Sequence, residues 1–167
     1  VLAEHLLRSA HQVDGIDNLN DAYDLRLKQW RLARLQGTRG FAFTALDICD
    51  RVAMAEMWEH KRFDAVLNLA ARAGVRPSVQ NPRDYFNTNV LGTLNVLELC
   101  RRHGVRKFVQ ASTSSLYGGH NPRPFREDAD LSRPLSPYAA SKGAAELLCH
   151  SYHALYGIDV SVLRYFT

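Results

Sequence analysis

Short apolar runs alternate with longer amphipathic segments along this chain. The runs of strand length are residues 13–17, 41–47, 63–69, 105–111 and 160–166. The segments with helical periodicity or helix-end signals are residues 2–9, 21–36, 50–60, 84–103 and 137–156, and the helix at 21–36 is predicted to be exposed. Strands that alternate with helices predict an α/β fold in which helices cover both faces of a parallel sheet. The nearly all-apolar run at 63–69 agrees with this, because parallel strands are buried on both sides.

Several residues mark the limits of these elements. Ser136 and Pro137 supply an N-cap and a first-turn proline for the last helix. Gly104 is a stop signal for the helix predicted at 84–103. The chain opens with Val1 inside a helical pattern and closes at Thr167 directly after a strand-like run, so we expect a fragment of a longer protein.

The composition is that of one globular domain. The chain has 167 residues, of which 46% are hydrophobic, and this is enough to bury a core. The formal net charge is +4, but the Arg-rich stretches at 31–39 and 101–107 lie in helix and loop patterns. This favours a solvated surface over a nucleic-acid-binding stripe, so we expect no nucleic-acid partner. We also expect no membrane span, because no apolar run reaches 18 residues.

The cysteines and histidines show no pattern of a redox or metal site. Cys49, Cys100 and Cys149 are odd in number and have no C-x-x-C spacing, which favours reduced side chains in a cytoplasmic protein. The seven histidines have no metal-ligand spacing, so we expect no metal.

Residues 112–142 carry the strongest chemical signal. Tyr138 and Lys142 are four residues apart in a predicted helix, so they lie on the same face. The ammonium of Lys142 can then stabilise a phenolate on Tyr138, which makes the tyrosine a usable base near neutral pH. A hydroxyl at the end of the preceding strand, such as that of Thr113, could share the substrate proton. These three residue types together indicate a site that oxidises an alcohol.

The predicted strand ends carry residue types that suit a dinucleotide. They are Asp17, Asp47, residues 69–71 and residues 112–113. Ligands of such sheets bind at the carboxyl ends of the strands. An acid at the end of a strand can accept hydrogen bonds from the adenosine ribose and would repel a 2′-phosphate, which favours NAD over NADP. The chain contains no G-x-G-x-x-G sequence, which would lie before the helix at its start.

An ordered set of motifs extends over the whole chain. They are residues 15–20 (GIDNLN), 47–48 (DI), 68–71 (NLAA), 89–93 (NVLGT), 112–118 (STSSLYG), 138–142 (YAASK) and 164–166 (RYF). The chain thereby resembles the NAD-dependent epimerase/dehydratase family of extended short-chain dehydrogenases/reductases. This resemblance implies that residues 1–167 form a partial NAD-binding Rossmann domain, a doubly wound parallel sheet. It also implies truncation at both ends, without the first strand and its Gly-rich loop and without most of the carboxyl-terminal substrate domain.

Three segments narrow the resemblance to the UDP-glucuronate 4-epimerases. They are residues 17–24 (DNLNDAYD) with 27–28 and 31–32, residues 73–78 (AGVRPS) with 81–82, and Ser114-Ser115 after Thr113. Related dehydratases carry Asp-Glu, and related decarboxylases Ser-Glu, at the positions of Ser114 and Ser115. Two hydroxyls can hold a sugar carboxylate by charge-assisted hydrogen bonds, whereas a glutamate would repel it. The loop therefore favours conversion of UDP-glucuronate to UDP-galacturonate through a transient 4-keto sugar, with NAD tightly bound.

The resemblance also implies roles for individual residues. The catalytic residues would be Thr113, Tyr138 and Lys142. The NAD-binding residues would be Asp17, Asn18, Asp47, Ile48, Leu69, Ala70, Ala71, Ala73, Thr88, Ser112, Tyr138, Lys142, Tyr165 and Phe166. The substrate-binding residues would be Arg76, Thr113, Ser114, Ser115 and Tyr138. The complete protein would be a homodimer through helices 84–103 and 137–156, and the fragment alone would be inactive.

Plainer interpretations remain open at several of these positions. Asp17 and Asp47 could be turn residues, Thr113 to Ser115 an ordinary strand-to-loop turn, and Arg76 a surface residue. Asn89 could be a buried core amide, and Tyr165 and Phe166 could be core aromatics. At the level of function, the alternatives are another NAD-dependent nucleotide-sugar epimerase, dehydratase or decarboxylase, and a non-catalytic nucleotide-sensing protein on the same fold.

Overall fold

All five predicted strands are present in the computed structural model, which describes residues 1–166. They are β1 (Val13–Asp17), β2 (Phe41–Ala45), β3 (Ala65–Asn68), β4 (Lys107–Thr113) and β5 (Asp159–Tyr165). Each begins and ends within two residues of its predicted limits, and β3 is shorter than the predicted run at 63–69. Thr167, the last residue of the predicted domain, lies outside the described residues.

Helices connect the strands. They are α1 (Leu2–Arg8), α2 (Leu25–Ala33), α3 (Arg51–Glu59), α4 (Val75–Gln80), α5 (Pro82–Phe86), α6 (Thr93–His103) and α7 (Pro137–Tyr156). A π-helical turn (Asn87–Gly92) joins α5 to α6, and a 3₁₀ helix (Ser114–Tyr117) follows β4. The predicted caps of α7 and α6 are confirmed. Ser136 accepts a hydrogen bond from the Ala139 N–H at 3.1 Å, and Gly104 ends α6 in the left-handed conformation at φ 71°.

The predicted helix at 84–103 is interrupted rather than uniformly α-helical. The π-helical turn lies between α5 and α6, and Asn89 within it turns a buried amide toward the loop after β3. Such turns insert one extra residue into a helix, which changes the direction of the side chains that follow. The segment α4, which links β3 to α5, was not predicted.

Every strand pair is parallel. Strand β1 pairs with β2, and β4 pairs with both β3 and β5. The register places Ser112 beside Arg164 and Thr113 beside Tyr165. The carboxyl ends of β4 and β5 therefore lie side by side, with the residues of the predicted site at this edge.

The five described strands do not all belong to one sheet. Within residues 1–166 the strands form two sheets, because β1 and β3 do not hydrogen-bond to each other. A cavity of about 320 Å³ lies between them, lined by side chains from α1, β1, α3 and β3. The prediction of a fully buried run at 63–69 was wrong for the same reason, since Leu67 and Leu69 beside this cavity are 38% and 50% exposed.

The hydrophobic core lies between the sheet β3–β4–β5 and the helices around it. It includes Met54 and Trp58 of α3, Leu97 and Cys100 of α6, Phe108 of β4 and Cys149 of α7. Polar side chains also bridge this core. Asn68 donates to Thr93 Oγ1 at 3.1 Å and to Gln110 Oε1 at 2.9 Å, which joins β3 to α6 and β4. These bonds satisfy polar groups that would be costly to bury alone.

No helix in residues 1–166 is long and apolar enough to cross a membrane.

Candidate active site

Helix α7 presents the predicted base and its neighbour on one face. Tyr138 is half-buried in the first turn, and Lys142 follows one turn later with only 2% of its surface exposed. Burial lowers the pKa of Lys142 to about 8, although the nearby Glu146 carboxylate acts in the opposite direction. Within residues 1–166 the Lys142 ammonium has no ion-pair partner, so its charge is available to a group outside this set.

Thr113 ends β4 and begins the 3₁₀ helix. Its Oγ1 accepts a hydrogen bond from the Ser115 N–H at 3.2 Å, and its hydroxyl lies 3.2 Å from Ser115 Oγ. Thr113 is buried, whereas Ser114 and Ser115 are half-buried. The strand-to-loop turn therefore presents three adjacent hydroxyls at the carboxyl end of β4.

Two contacts join this turn to α7. Ser112 Oγ donates to Glu146 Oε1 at 2.5 Å, which fixes the end of β4 one turn beyond Lys142. Leu116 of the 3₁₀ helix packs on α7 at Gly143, where a Cβ would lie 3.3 Å from Leu116 Cδ2. These contacts place the Thr113 turn against α7, the helix that carries Tyr138 and Lys142.

Tyr85 of α5 links Tyr138 to the loop after β3. The two rings meet edge to face, with centroids 6.0 Å apart at 74°. The Tyr85 hydroxyl donates to the Ala73 carbonyl at 2.8 Å, and burial raises the pKa of this hydroxyl. Tyr85 therefore connects Tyr138 to the loop after β3, in which NAD-binding residues are predicted.

Asn89 forms a second link between the same parts. Its amide accepts from the Arg72 N–H at 2.7 Å and donates to the Arg72 carbonyl at 3.0 Å and to Ser141 Oγ at 2.9 Å. Ser141 in turn donates to the Tyr138 carbonyl at 2.8 Å. Asn89 is thus the buried, hydrogen-bonded amide of the plainer interpretation, and its bonds connect the loop to the helix that carries Tyr138.

The predicted adenosine-binding residues cluster at the ends of β1 and β2. The Asn18 amide donates to Asp47 Oδ2 at 2.7 Å, and Asp17 accepts from the Leu19 N–H at 2.7 Å. Asp47 also accepts from the Cys49 N–H at 2.8 Å, so both acids form local turn bonds. Burial would raise the pKa of Asp47, but the hydrogen bonds from Cys49 and Asn18 outweigh it and hold the pKa below its usual range.

Lys28 of α2 is bound to the first of these acids. Its ammonium donates to Asp17 Oδ1 and to Asn20 Oδ1, both at 3.1 Å, and lies 5.0 Å from the centre of the Tyr23 ring. Lys28 is buried, although the sequence predicted an exposed helix at 21–36. The predicted exposure was wrong at Lys28, because α2 turns this side chain inward onto the end of β1.

Ile48 follows Asp47 and is buried against the helix that begins at Thr93. A Cβ on Gly92 would lie 2.6 Å from Ile48 Cδ1 and 2.7 Å from Cγ1, so a larger residue here would force Ile48 or the helix to move. Asn95 of α6 donates to the Ile48 carbonyl at 3.0 Å. The backbone around Ile48 is thereby fixed against α6.

The remaining predicted residues differ in their exposure. Leu69, Ala71 and Ala73 are exposed and Ala70 and Thr88 are half-buried, so the loop after β3 offers an open surface of small side chains. Arg76 is exposed on α4. Tyr165 and Phe166 are 51% and 63% exposed, so neither is a core aromatic, and the Phe166 ring stacks on Tyr117 with centroids 5.9 Å apart.

Four residues of this site had no assigned role in the sequence interpretation. They are Lys28, Tyr85, Glu146 and Arg164. A signal existed for Glu146, which is four residues after Lys142 and therefore on the same helical face. Nothing in the sequence distinguished Tyr85 from other aromatic residues, because its role depends on the path of the loop after β3.

Comparisons with known proteins identify the family of this chain. A family model for GDP-mannose 4,6-dehydratase matches residues 1–167. A UDP-glucuronate 4-epimerase from Thermodesulfobacterium geofontis is 52% identical over 166 residues, which cover 99% of this chain and 51% of that protein. The crystal structure of UDP-glucuronic acid 4-epimerase from Bacillus cereus with UDP-glucuronic acid and NAD superposes with a TM-score of 0.87 at 35% identity, over 99% of this chain and 52% of that one.

A UDP-glucose 4-epimerase from Thermus thermophilus, solved with NAD, superposes with a TM-score of 0.80 at 35% identity, over 98% of this chain and 50% of that one. The chain belongs to the nucleotide-sugar epimerase/dehydratase family that the GDP-mannose 4,6-dehydratase model describes, which confirms the family and the Rossmann-type fold predicted from its motifs. It spans about half the length of these relatives.

Proposed function

We propose that this chain is part of the NAD-binding domain of a nucleotide-sugar 4-epimerase that converts UDP-glucuronate to UDP-galacturonate. The observation that carries the proposal is the joining of the Thr113 turn to the Tyr138–Lys142 face by the Ser112–Glu146 hydrogen bond. Similarity to the UDP-glucuronate 4-epimerases of T. geofontis and B. cereus supports this substrate. The longer protein that would contain the chain is called the parent protein below.

The residues of the site fit NAD as the cofactor. The buried Lys142 ammonium, without an ion-pair partner in residues 1–166, is available to ribose hydroxyls, and the small side chains at Ala70, Ala71 and Ala73 allow close approach of a ligand. Asp17 would accept hydrogen bonds from the adenosine ribose. The other residues proposed to hold NAD are Asn18, Asp47, Ile48, Leu69, Thr88, Ser112, Tyr138, Tyr165 and Phe166. When bound, NAD would supply reversible hydride transfer at C4 of the sugar, which allows the configuration at C4 to invert.

The protein's own part in the reaction is proton transfer. Tyr138, as phenolate, would take the proton of the sugar 4-hydroxyl and later return it, with the Thr113 hydroxyl sharing this proton. The Lys142 ammonium stabilises the phenolate, and its burial strengthens this interaction because little water competes for the charge. The sugar would pass through a 4-keto form, which turns over in the site before reduction.

Ser114 and Ser115 support a sugar that carries a carboxylate. Both lie half-buried beside Thr113, at the carboxyl end of β4. Their hydroxyls can donate charge-assisted hydrogen bonds to a carboxylate, and they bring no acid for dehydration or decarboxylation. Arg76, exposed on α4, is the proposed second contact to the substrate.

We propose that the cavity between β1 and β3 receives the first strand of the sheet in the complete Rossmann domain. The facing edges of two parallel sheets and the apolar lining of the cavity support a parallel strand there. A strand in this position would restore one continuous sheet and cover Leu67. The proposed domain accordingly extends past residues 1–167 of this chain.

A second copy of the parent protein is the proposed partner of α7. Leu147 and Leu155 on this helix are 70% and 72% exposed, and Leu91 in the π-helical turn is 52% exposed. Apolar side chains this exposed on neighbouring helices favour burial in a homodimer. Sedimentation of the purified parent protein should give twice the monomer mass, and a monomer at micromolar concentration would contradict the dimer.

The proposed location is the cytoplasm, where the three free cysteines would stay reduced.

The product identifies the reaction. The parent protein is incubated with UDP-glucuronate without added reductant, and the product is identified by proton NMR. We expect UDP-galacturonate and no carbon dioxide. A pentose product would mean decarboxylation and would contradict the role given to Ser114 and Ser115, whereas turnover of UDP-glucose alone would keep the mechanism and change the substrate.

A matched pair of variants tests the carboxylate contact. Ser115→Glu places a negative charge beside the substrate carboxylate, so it should raise KM for UDP-glucuronate by about tenfold or more while leaving KM for UDP-glucose within about threefold. Ser115→Ala removes one hydrogen bond without adding charge and should raise KM less. Equal effects of Ser115→Glu on both sugars would contradict the contact.

A further inference from the structure

The carboxylate of Glu146 connects three elements that carry proposed active-site residues. It lies on α7, four residues after Lys142 and eight after Tyr138. Its Oε1 accepts from Ser112 Oγ at 2.5 Å, and Ser112 directly precedes Thr113 in β4. The same carboxylate binds Arg164 of β5, directly before Tyr165 and Phe166.

Glu146 and Arg164 form an ion pair through two parallel hydrogen bonds, which is called the clamp below. Arg164 Nε donates to Glu146 Oε1 at 3.1 Å, and Nη2 donates to Oε2 at 2.8 Å. The side chains are only 16% and 11% exposed. A planar guanidinium that binds a carboxylate through two parallel hydrogen bonds fixes the direction of both groups.

Arg164 extends this connection to the loop that follows the 3₁₀ helix. Its Nη1 donates to the Glu127 carbonyl at 3.0 Å, and its guanidinium lies 5.3 Å from the centre of the Tyr117 ring. Tyr117 stacks on Phe125 with centroids 4.6 Å apart, and Phe166 stacks on Tyr117. The loop, the end of β5 and the Thr113 turn are therefore held to one carboxylate.

We propose that Glu146 is a positioning residue for the epimerase reaction, which fixes Thr113 and the end of β5 against the helix face of Tyr138 and Lys142. The proposal rests on the function proposed above. Glu146 does not touch the reacting atoms. Its effect is geometric, because a shift of about 1 Å between the proton-sharing hydroxyl and the base costs roughly 10²-fold in rate.

The structure offers a matched control in Glu98. This carboxylate on α6 also accepts two hydrogen bonds from an arginine, Arg101 at 3.0 and 2.9 Å, and one from a hydroxyl, Tyr152 at 2.5 Å. It joins α6 to α7 far along both helices from Tyr138. Loss of Glu98 therefore removes the same kinds of bonds without touching the end of β4 or β5.

The test compares Glu146→Gln and Glu98→Gln in the parent protein. For each variant, kcat and KM are measured with UDP-glucuronate and UDP-glucose, together with bound NAD per protomer and the melting temperature. We expect Glu146→Gln to lower kcat by about tenfold or more, with KM within about threefold of wild type and NAD retained. Glu98→Gln should leave kcat within about twofold, even if it melts earlier.

A second variant covers the case in which Glu146→Gln does not fold. Glu146→Gln leaves the buried guanidinium of Arg164 without its counter-charge, which is strongly destabilising. The double variant Glu146→Gln/Arg164→Met removes both charges and keeps an apolar side chain over Tyr117. It should fold, retain NAD and show the same loss of kcat, because the clamp is still missing.

The outcomes distinguish a failure of the positioning role of Glu146 from a failure of the proposed epimerase function. A folded variant that retains NAD and keeps kcat within threefold of wild type overturns the positioning role. So does an equal loss of kcat in Glu98→Gln, which would mark a general effect on stability. If wild type turns over neither sugar, the proposed function is wrong, and the role of Glu146 in it is wrong as well.

Discussion

Tyr138 and Lys142 lie one turn apart on α7, so their side chains share a face of this helix. The first is half-buried and the second is almost completely buried. A buried ammonium can stabilise an adjacent phenolate more strongly than a solvated one, because the local dielectric constant is lower. The proposed proton transfer would therefore depend on these two side chains and their burial.

Tyr138→Phe removes the proposed base and little else. In the parent protein we expect turnover to fall by about 10³-fold or more, since no other group takes the proton of the sugar 4-hydroxyl. Bound NAD per protomer, measured after denaturation, should remain within about 20% of wild type. Turnover within tenfold of wild type would sink the assignment of Tyr138.

The burial of Lys142 predicts that kcat/KM depends on pH. Burial lowers its pKa to about 8, so the ammonium loses its proton as the pH rises through this value. Because the protonated form stabilises the phenolate, kcat/KM should be highest below about pH 8 and should fall above it. The measurement is kcat/KM from pH 6 to 10.

Lys142→Arg is the control for this pH dependence. Arginine keeps its charge throughout the range, so the variant, although slower, should lose the fall of kcat/KM between pH 8 and 10. An unchanged alkaline fall in this variant would assign the dependence to another group.

Lys28 has a measurable role in the region proposed for the adenosine ribose. Lys28→Met keeps the length of the side chain but removes the donor to Asp17 and Asn20. We expect the turn after β1 to loosen and the dissociation constant of NAD to rise by about tenfold, with kcat at saturating NAD within about twofold. Fluorescence titration with NAD would measure this, and an unchanged dissociation constant would mean that the pair is only structural.

At the scale of elements, the site depends on how the segment from α5 to α6 passes the two sheets. Its π-helical turn places Asn89 on the backbone of the loop after β3 and on Ser141 of α7. The same turn brings Gly92 against Ile48 at the end of β2. One irregular helical segment thus connects both sheets to α7.

Gly92→Ala tests this arrangement. A Cβ at this position would lie 2.6 Å from Ile48 Cδ1, so Ile48 or the helix must move. We expect a destabilisation of about 1–3 kcal/mol and a lower content of bound NAD. The measurements are the unfolding free energy and the NAD content of the parent protein.

Gly143→Ala is the matched control on α7. There a Cβ would lie 3.3 Å from the tip of Leu116, and alanine has the better helix propensity by about 1 kcal/mol. This variant should be near neutral or more stable than wild type. A Gly92→Ala protein as stable as Gly143→Ala would show that the contact with Ile48 is easily relieved.

At the scale of the whole molecule, an open cavity separates β1 from β3. Parallel strands rarely leave a hydrophobic edge unpaired, because such an edge promotes pairing with other chains. Leu67 and Leu69 are large hydrophobic side chains that are exposed beside the unpaired edge of β3. The strand proposed for the cavity would account for their exposure.

Amide hydrogen exchange of the parent protein would detect that strand. We expect the amides of β1 and β3 to be protected as strongly as those of β4, which is paired on both sides. Chain 1–167 alone should self-associate through the open edges, which light scattering would detect. Fast exchange in β1 and β3 of the parent protein would contradict a strand between them.

The sequence by itself determined the order of strands and helices, the caps at Ser136 and Gly104, and the Tyr138–Lys142 pair. These features depend on residues close together in the chain, and local periodicity records them directly. Its motifs also determined the family, because the ordered set extends over the chain. The prediction of the Thr113 turn beside α7 followed from the rule that ligands bind at the carboxyl ends of parallel strands.

Only the tertiary structure decided which side chains hold these parts together. Glu146 meets Ser112 and Arg164, Lys28 meets Asp17, and Asn89 meets the loop after β3 across separations of 11 to 34 residues. Contacts between residues far apart in the chain depend on packing and register, which the pattern of a single segment does not contain.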